Sequence, residues 1–412
     1  MRGRTNVGDG VALNANTVNK TVKSGQITAG DFVGYYTERS YIDQSNRLNF
    51  LFAVGDYLIA QAKDGTSLTA FKNGEQIATY SGRCDAVGKY NNWIVFHNNL
   101  LGVLGVLSIS DNGFTLIDSV STSDTLLSGA TGIAGGNGKI CYAKRYTNSG
   151  YSYLKVGIVN IANNGTLSGL NITDIVGQSN DVFDVEYYNA FYVIRRSSSV
   201  KLSIDSNNEV TIDSTINFEY SIYANNGSRI VYRSGQVIGI AFHDGSSSSS
   251  STDNTGHLQI ANFVTGGMIY KTIANYGEVL TIINDGFLIT SERVKSGSYY
   301  YTYKFNLCSF SDDTCEITKL DTITLAENTY AIDKMISVSL GGIKDDIAYL
   351  KLHDSANDPI ELYEVVDDSY LQSPSQHNYV VPYGTGGHPI GVAKTNGNVN
   401  DVIPVYIPTP SV

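Results

Sequence analysis

The amino-acid sequence predicts an all-β protein, a seven-bladed β-propeller inserted in a small β-barrel or β-sandwich domain formed by the N- and C-termini. Charged residues are only 16% of the 412 residues, whereas the chain contains 29 tyrosines and 41 glycines. Such a composition suits twisted strands joined by tight turns. The other two observations are a recurring hairpin pattern and a few strand-like runs at each end of the chain.

The first 40 residues contain two strand candidates, GVALNANTVNKTV and QITAGDFVGYY. The last 40 contain HNYVVPYG, PIGVAKT and DVIPVYIP. Neither group could bury its apolar face alone, because a few strands need a covering layer. A propeller brings its entry and exit together, so we predict one split β-domain of residues 1–40 and 368–412, with the propeller at 41–367.

Between the ends, an apolar run, a turn of Asn, Asp or Gly and a second apolar run recur seven times. The seven segments are LFAVGDYLIAQA, AVGKYNNWIVFH, GIAGGNGKICYAK, DVEYYNAFYVIRR, YANNGSRIVYRS, TIINDGFLITSE and SLGGIKDDIAYLKL, with turns near Gly55, Asn91, Asn137, Asn189, Gly227, Asp285 and Asp345. Their mean spacing is about 48 residues, and further strand candidates follow each hairpin. Four strands at this period are typical of a propeller blade.

Both ends also carry short motifs. Both ends resemble the flanks of virion proteins encoded by Firmicutes phages and prophages, of tail-fibre, baseplate or head-fibre type. At the start the resemblance lies in GRTNVGDGVALN followed by TAGDFVGYY, and at the end it lies in IGVAKTNGNVNDVIPVYIP. In that family a GDFV strand pairs with a closing hairpin in a small attachment domain. The resemblance covers roughly 70 residues. It implies a virion location, synthesis in the bacterial host cytoplasm, and other virion proteins of capsid, tail or baseplate as partners.

The resemblance points to Asp31, Phe32, Val33, Ile390, Val392, Val405 and Tyr406 as the particle-attachment residues. The propeller would then be displayed for recognition of a host-surface glycan or protein. A purely architectural role, as a capsid fibre, decoration or baseplate spacer, fits the same resemblance. The sequence leaves the oligomeric state open.

Charge and hydropathy exclude several partners. The formal net charge is −11, whereas a nucleic-acid-binding protein needs a basic face. Arg195, Arg196 and Lys201 form the one compact basic cluster along the sequence, and solvation explains such charges equally well. No apolar run approaches the roughly 20 residues of a membrane span, and the start lacks the apolar core of a secretory signal. We expect neither a nucleic-acid nor a membrane partner.

Catalytic motifs are not found. The chain has a single tryptophan, Trp93, and lacks Asp boxes, the marks of WD40 and kelch blades, GxSxG, HExxH, P-loop and CxxC motifs. His243 and His257 bracket a Ser-rich loop, for which a solvated loop is favoured over a metal site. A glycan-active enzyme would need an acid pair that nothing singles out, so we predict a protein that is not an enzyme and has no cofactor or bound metal.

The segment SGSYYYTYKF extends the sixth hairpin and contains the predicted binding residues Tyr299, Tyr300, Tyr301 and Tyr303. Tyrosine gives amphipathic contact area at low entropic cost, which suits recognition of a protein or glycan. Cross-strand stacking inside a blade is the alternative. Nearby, Cys308 and Cys315 flank a turn, and a disulfide between them is left open, while Cys84 and Cys141 are predicted to be buried thiols.

Overall fold

The computed structural model describes residues 17–37, 41–42, 48–62, 64–72, 75–122, 131–176, 182–219, 230–233, 237–243, 255–274, 279–284, 287–295, 300–311, 314, 316–330, 334–339, 347–353, 360–366, 370–372, 375–383 and 389–407. The protein is all-β, as predicted: these residues form strands, turns and irregular segments. Within the same ranges there is no helix with the length and hydropathy to span a membrane.

Two compact units make up the chain. The terminal unit comprises Met1–Ser40 and Gln372–Val412, and the central unit comprises Tyr41–Leu371.

The strands of the terminal unit come from both segments. They are β1 (Thr17–Val22) and β2 (Phe32–Thr37) near the start of the chain, and β32 (Ser375–Pro382), β33 (Pro389–Ala393) and β34 (Val402–Tyr406) near its end. In the order β1-β32-β2-β33-β34 they close a barrel. Only β1 and β32 run parallel among these pairs.

The described strands of the central unit form seven antiparallel sheets. Sheet 1 contains β4 (Leu48–Val54), β5 (Tyr57–Ala62), β6 (Leu68–Lys72) and β7 (Glu75–Tyr80); sheet 2 contains β8 (Ala86–Tyr90), β9 (Trp93–Asn98), β10 (Val103–Ser110) and β11 (Gly113–Ser121); sheet 3 contains β12 (Thr131–Gly136), β13 (Lys139–Asn148), β14 (Tyr151–Ile161) and β15 (Leu167–Val176); sheet 4 contains β16 (Val182–Tyr187), β17 (Phe191–Arg195), β18 (Ser198–Ile204) and β19 (Val210–Asn217). Sheet 5 contains β20 (Ile230–Arg233), β21 (Val237–His243), β22 (Thr255–Asn262) and β23 (Gly267–Ala274); sheet 6 contains β24 (Val279–Asn284), β25 (Phe287–Lys295), β26 (Tyr300–Phe310) and β27 (Ile317–Tyr330); sheet 7 contains β28 (Lys334–Ser339), β29 (Ile347–His353), β30 (Ile360–Val366) and β3 (Tyr41–Ile42), with β31 (Tyr370–Gln372) also paired to β30.

Sheet 7 takes its fourth strand from the other end of the central unit. Strand β3 pairs antiparallel with β30, with Tyr41 opposite Glu361 and Ile42 opposite Ile360. Ile360 is fully buried and packs in the core that sheets 1 and 2 share. The last sheet of the unit is therefore joined both to its first residues and to sheet 1.

Neighbouring sheets contact one another in chain order. The first strand of each sheet contacts the first strand of the next from β8 through β28, β7 contacts β11, and β28 contacts β4 of sheet 1. Separate apolar cores lie between sheets 1 and 2, 2 and 3, 3 and 4, and 4 and 5. Each sheet between these cores is buried on both faces, which explains the continuous apolar runs of the second strands.

Close approach of the first strands depends on glycine. A Cβ at Gly88 would lie 2.5 Å from the carbonyl oxygen of Ile133, and a Cβ at Gly132 would lie 2.3 Å from the backbone of Asp184 and Val185. Real Cβ atoms do not approach backbone so closely, so β8, β12 and β16 can adopt this spacing only with glycine at these positions.

The hairpin turns match the sequence pattern in the first four sheets. Gly55, Asn91, Asn137 and Asn189 connect the first and second strands, and all have φ between 48° and 54°. The predicted turns at Gly227, Asp285 and Asp345 lie outside the described residues. The first hairpin of sheet 5 lies later in the chain than predicted, because β20 pairs with β21 across the connection between Arg233 and Val237. The Asn-Asn-Gly-Ser segment has the composition of a tight turn but precedes the sheet.

Candidate binding surfaces

The outer surface of the barrel carries a continuous row of apolar and aromatic side chains. Tyr406 lies opposite Val392, and Val392 lies opposite Phe32. The N–H of Tyr383 donates to the carbonyl of Phe32 at 3.0 Å, which extends the row to β32. We call Tyr406, Val392, Phe32 and Tyr383 the outer row; Phe32 is 57% exposed and Tyr383 is 59% exposed. Three of its members are predicted attachment residues.

Other predicted attachment residues lie inside the barrel. Val33 and Val405 are fully buried and form the barrel core with Val22, Val380 and Ile403, while Ile390 packs against this core. Successive residues of a strand point to opposite sides of a sheet, so Val33 and Phe32 have opposite surroundings. The motifs GDFV and VIPVY thus each contribute residues both to the core and to the outer face of the barrel.

Asp31 stabilises a turn rather than projecting from a strand. Its Oδ2 accepts a hydrogen bond from the N–H of Thr28 at 2.8 Å, and Asp401 makes the same bond with Asn398 at 2.8 Å. The residues before them, Gly30 and Asn400, have φ of 92° and 73°. The two ends of the chain therefore form equivalent turns before β2 and β34.

These two turns meet across the barrel. Ile27 and Gly397 exchange two backbone hydrogen bonds of 2.9 Å. Gly30 donates to the carbonyl of Ala393 at 2.8 Å, and Asn400 donates to the carbonyl of Val22 at 2.7 Å. The pattern is that of a local two-fold axis between the N-terminal and C-terminal halves. Asp401 and Gly397 were not selected from the sequence, although the repeated order of a glycine or asparagine, an aspartate and two apolar residues was a usable signal.

The predicted tyrosine cluster of sheet 6 divides between surface and interior. Tyr300 lies at the start of β26 and is 50% exposed, whereas Tyr303 is 2% exposed and packs inside the sheet. Tyr301 pairs with Lys295 and with Thr329, and Tyr299 lies outside the described residues. Within this cluster Tyr300 is available to a ligand, and its binding role stays a prediction. Cys308 is buried in β26 and Cys315 is outside the described residues, so their bridge also stays open.

Sheet 3 carries a similar hairpin that was not selected from the sequence. Strands β13 and β14 remain paired from Lys139 with Asn160 to Asn148 with Tyr151. Tyr151 at the tip is 64% exposed and, like Tyr300, begins the third strand of its sheet. The signal was present, because RYTNSGYSYLK shares its Ser-Gly turn and its spaced tyrosines with KSGSYYYTYK.

A compact polar and aromatic group stabilises this hairpin. The rings of Tyr146 and Tyr153 stack with centroids 5.0 Å apart, and Nζ of Lys155 lies 4.5 Å from the Tyr146 ring centroid. The Tyr146 hydroxyl donates to Oδ2 of Asp174 at 2.8 Å, and Lys155 Nζ lies 3.9 Å from Oδ1 of Asp174. Stacking, cation–π and ion-pair contacts fix the orientation of these side chains.

The hairpin extends further than β9, the second strand of sheet 2. His97 of β9 stacks on Tyr142 of β13 with ring centroids 4.7 Å apart. From that contact β9 continues for one residue to Asn98, whereas β13 continues for six residues to Asn148. The difference of five residues corresponds to roughly 16 Å. Tyr146, Tyr151 and Tyr153 therefore lie on a part of the hairpin that extends past the end of β9.

Of the three residues of the basic cluster, two lie at one end of sheet 4. Arg195 is the last residue of β17 and is buried, with an Nη2–H that donates to Oγ of Ser198 at 2.6 Å. Burial lowers its pKa. Arg196 is exposed, while Lys201 is in β18 and pairs with Asp213 at 2.8 Å. Lys201 therefore belongs to a separate ion pair.

The part of the chain that the structure describes contains no cluster of metal ligands. In those ranges no three His, Cys, Asp or Glu side chains gather closely enough to hold a metal ion. Cys84 and Cys141 are buried thiols, as predicted, and burial raises the pKa of Cys84 to about 12. Neither thiol has the lowered pKa of a catalytic cysteine.

The sequence matches no known protein family and no curated protein. Solved structures with a similar arrangement include the WD40 domain of coronin from Toxoplasma gondii (9% identity, 94% of this chain and 100% of that chain, TM-score 0.48). They also include a functionally unknown protein from Desulfotomaculum acetoxidans (8% identity, 86% and 100%, TM-score 0.47) and the WD40 domain of SCAP from fission yeast (12% identity, 77% and 82%, TM-score 0.43). At these values neither blade number nor ligand follows from the likeness.

Proposed function

We propose that this protein is a non-enzymatic virion component of a phage or phage-tail-like particle, which attaches through its terminal unit and displays its central unit for recognition of the host surface. The observation that carries the proposal is the outer row of the barrel. Phe32 and Tyr383 expose large aromatic side chains beside the half-buried Val392 and Tyr406, and such a patch on a small closed barrel is the mark of a protein–protein contact surface. Three of the four residues belong to the motifs that resemble phage virion proteins.

The central unit is a seven-bladed β-propeller in this proposal. The contact of β28 with β4 and the pairing of β3 with β30 support a closed ring of seven sheets. A ring closed by its own first strand has no open end at sheet 7, which removes an edge that would otherwise promote aggregation. The split boundaries of the two units support the insertion of this propeller between the halves of the barrel.

Recognition is assigned to the projecting hairpins of sheets 3 and 6. Each presents an exposed tyrosine, Tyr151 or Tyr300, at the start of a long third strand. Tyrosine contributes a large rigid contact surface with a polar tip, as in antibody loops. Residues at the tips of such hairpins can be exchanged for binding without changing the packing of the core, because the rigid sheet below them sets their position.

A pair of matched variants tests the two halves of the proposal. The double variant Phe32→Ser/Tyr383→Ser should fold but fail to enter particles, as judged by immunogold labelling and by immunoblotting of purified particles. The double variant Tyr151→Ser/Tyr300→Ser should enter particles normally but lower their adsorption to host cells. Normal incorporation of the first variant would overturn attachment through the outer row.

An architectural role is the second candidate, because the outer row fits a capsid fibre or spacer equally well. It would be correct if particles with Tyr151→Ser/Tyr300→Ser adsorb normally and antibodies against the central unit leave infection intact. Loss of polysaccharide mass on incubation with the purified protein would instead indicate a glycan-active enzyme.

A further inference from the structure

The tyrosines of the sheet 3 hairpin lie on one face of the sheet. Tyr142 of β13 packs in the core shared with sheet 2, and Tyr146, four residues later on the same strand, points to the same side. Tyr153 of β14 lies directly opposite Tyr146, and the register continues without a break to Tyr151. Residues directly opposite each other share a face, as do residues two apart on one strand. Tyr146, Tyr151 and Tyr153 therefore all point to this side.

A lysine and an aspartate occupy the same face. Lys155 is two residues from Tyr153 on β14, on the side away from the tip of the hairpin. Asp174 of β15 lies directly opposite Lys155, and its Oδ1 lies 3.9 Å from the lysine Nζ. The face therefore combines three aromatic rings with one ion pair.

The contacts of Tyr146 fix the direction of the rings. Its hydroxyl donates to Asp174 of β15, so the side chain of this β13 residue crosses β14, which lies between the two strands. The ring contacts two successive residues of this face of β14: the Tyr153 centroid is 5.0 Å from its centroid, and Nζ of Lys155 is 4.5 Å from it. The Tyr146 ring therefore lies between them and stands across the strand. The Tyr153 ring is inclined to it by only 19° and has the same orientation.

Tyr153 presents its second ring face towards the tip of the hairpin. Its first face stacks on Tyr146, and in the part of the chain that the structure describes no further ring contacts Tyr153. Tyr151, two residues closer to the tip, is 64% exposed. Two residues of a strand span roughly 7 Å. Two van der Waals contacts of about 3.5–4.0 Å need the same distance, so one ring of a ligand fits between Tyr153 and Tyr151. We call this position the tyrosine slot.

The surroundings of the tyrosine slot are rigid. Tyr151 follows a two-residue turn, Ser149 and Gly150, with φ of 51° and 83°. Positive φ at both central residues is typical of the type I′ turn, which matches the twist of the strands. The turn fixes the backbone of Tyr151, and the stack on Tyr146 fixes the ring of Tyr153. Such preorganisation lowers the entropic cost of binding a ligand.

The polar groups around the tyrosine slot suit a ligand rich in hydroxyl groups. The hydroxyls of Tyr151 and Tyr153 make no hydrogen bond to any residue within the described ranges, and each can both donate and accept. The six residues of the tip, 147–152, are TNSGYS, so the residues beside Tyr151 carry hydroxyls and an amide. Aromatic rings can contact the C–H face of a sugar ring, while polar groups of this kind orient its hydroxyls.

Area and charge argue against other classes of ligand. A stable protein–protein contact takes about 20–30 residues on each side, whereas the tip of the hairpin consists of six. The central unit contains 22 Lys and Arg against 35 Asp and Glu, a net charge of −13, which repels an anionic polymer. A neutral saccharide needs neither a large contact area nor a basic surface.

We infer that the tyrosine slot binds a neutral glycan, with one pyranose ring stacked between Tyr151 and Tyr153. The two tyrosine hydroxyls hydrogen-bond to the hydroxyls of the sugar, and Tyr146 supports the ring of Tyr153 from the other side. This inference rests on the proposed function, because it names the ligand class for the same display surface.

Binding of the purified full chain to a printed array of defined neutral and acidic glycans tests the inference. We expect at least one neutral glycan to bind, and isothermal titration with that glycan then gives its affinity. The affinity should change little between low and high salt, since the contacts carry no net charge. Binding of acidic glycans alone, or of no glycan, overturns the inference.

Matched tyrosine variants locate the site. Tyr153→Ala should weaken binding of the titrated glycan by about tenfold or more, because it removes a stacked ring, whereas Tyr153→Phe should retain most of the affinity. Tyr151→Ala changes only an exposed side chain and should weaken binding without altering thermal unfolding, so it tests the site even if Tyr153→Ala destabilises the sheet. Tyr270→Ala, at an exposed position of β23 in sheet 5, is the control and should bind normally. Normal binding by both Tyr153→Ala and Tyr151→Ala refutes the assignment.

Cell adsorption separates this inference from the proposed function. If Tyr153→Ala abolishes glycan binding but particles that carry it adsorb normally, the tyrosine slot binds the glycan and the recognition role fails. If Tyr151→Ser/Tyr300→Ser lowers adsorption while no neutral glycan binds, recognition stands and the inference fails. Protease treatment of the host cells, rather than periodate oxidation of their glycans, should then abolish adsorption, as expected for a protein receptor.

Discussion

The two units reach their all-β structures by opposite routes. Each sheet of the central unit is built from strands that follow one another in sequence, with β3 as the exception. In the barrel, β2 lies between β32 and β33, strands that are more than 330 residues away along the chain. Strands that are close in sequence pair with little loss of chain entropy. Pairing between distant segments closes a long loop and therefore costs more chain entropy, unless the intervening chain is already folded. The barrel therefore depends on both ends, and each central sheet depends mainly on itself.

The largest effect is expected from deletion of the residues after Gly386, which removes β33 and β34. The barrel would lose two of its five strands and Gly397, with which Ile27 exchanges two backbone hydrogen bonds, so the terminal unit should unfold and particle incorporation should be lost. The central unit should keep its own unfolding transition in calorimetry. Complete unfolding of the truncated chain, or normal incorporation, would show that the two units are not separable in this way.

A smaller but clear difference in stability is expected between substitutions inside the barrel and substitutions on its outer face. Val33→Asp places an unpaired carboxylate among Val22, Val380 and Val405, and should lower the free energy of unfolding of the terminal unit by about 3–5 kcal/mol. The neighbouring change Phe32→Ser alters an exposed side chain and should change it by less than about 1 kcal/mol. Chemical denaturation measures both, and similar losses would contradict the assigned directions.

The central unit should be destabilised by any side chain added where the first strands of neighbouring sheets approach each other closely. Gly132→Ala forces a Cβ against the backbone of Asp184, and we expect a loss of about 1–3 kcal/mol from the central unit alone. Gly267→Ala is the control, because its nearest atom would be Oγ1 of Thr265 at 3.6 Å and its φ is not positive. Thermal unfolding followed by circular dichroism compares the two, and a destabilised barrel in either variant would be unexpected.

The smallest effect concerns alkaline pH. All four cysteines of the sequence lie in the central unit, and burial raises the pKa of Cys84 from 9.0 to about 12. From pH 9 to 12 the unfolded thiol ionises while the folded one does not, so stability present below pH 9 is lost. At pH 10 this loss is about 1.4 kcal/mol for one thiol. Cys84→Ala should remove this contribution from the pH dependence of the free energy of unfolding of the central unit. The pH dependence of the terminal unit should not change.

The sequence was most informative where structure is locally determined. Asn91, Asn137 and Asn189 identify their hairpins because a two- or three-residue turn needs positive φ, which asparagine tolerates. The same reasoning did not locate the first hairpin of sheet 5, which joins Arg233 to Val237, because the Ser-Gly-Gln segment between them carries a weaker turn signal than Asn-Asn-Gly-Ser. Inside and outside positions of the barrel followed from alternation only after the strand pairing was known, so Phe32 and Val33 could not be separated beforehand.

Sites that depend on non-local packing were harder to find. Arg195, Arg196 and Lys201 were selected together as a basic cluster, but Arg195 is buried at the end of β17 and Lys201 pairs with Asp213. Tyr303 looked like its neighbours in the tyrosine run, and only the pairing of β26 shows that it is interior. Side-chain exposure at such positions is a property of the assembled sheets.

The paired turns at Ile27 and Gly397 have a consequence for biosynthesis. On the ribosome, β1 and β2 emerge before the other barrel strands and have no partners until more than 330 further residues have been translated. The sheets of the central unit can form one by one during that interval. Completion of the barrel therefore reports that the intervening chain has been fully made. A particle that accepts only closed barrels would exclude truncated products without any separate quality-control factor.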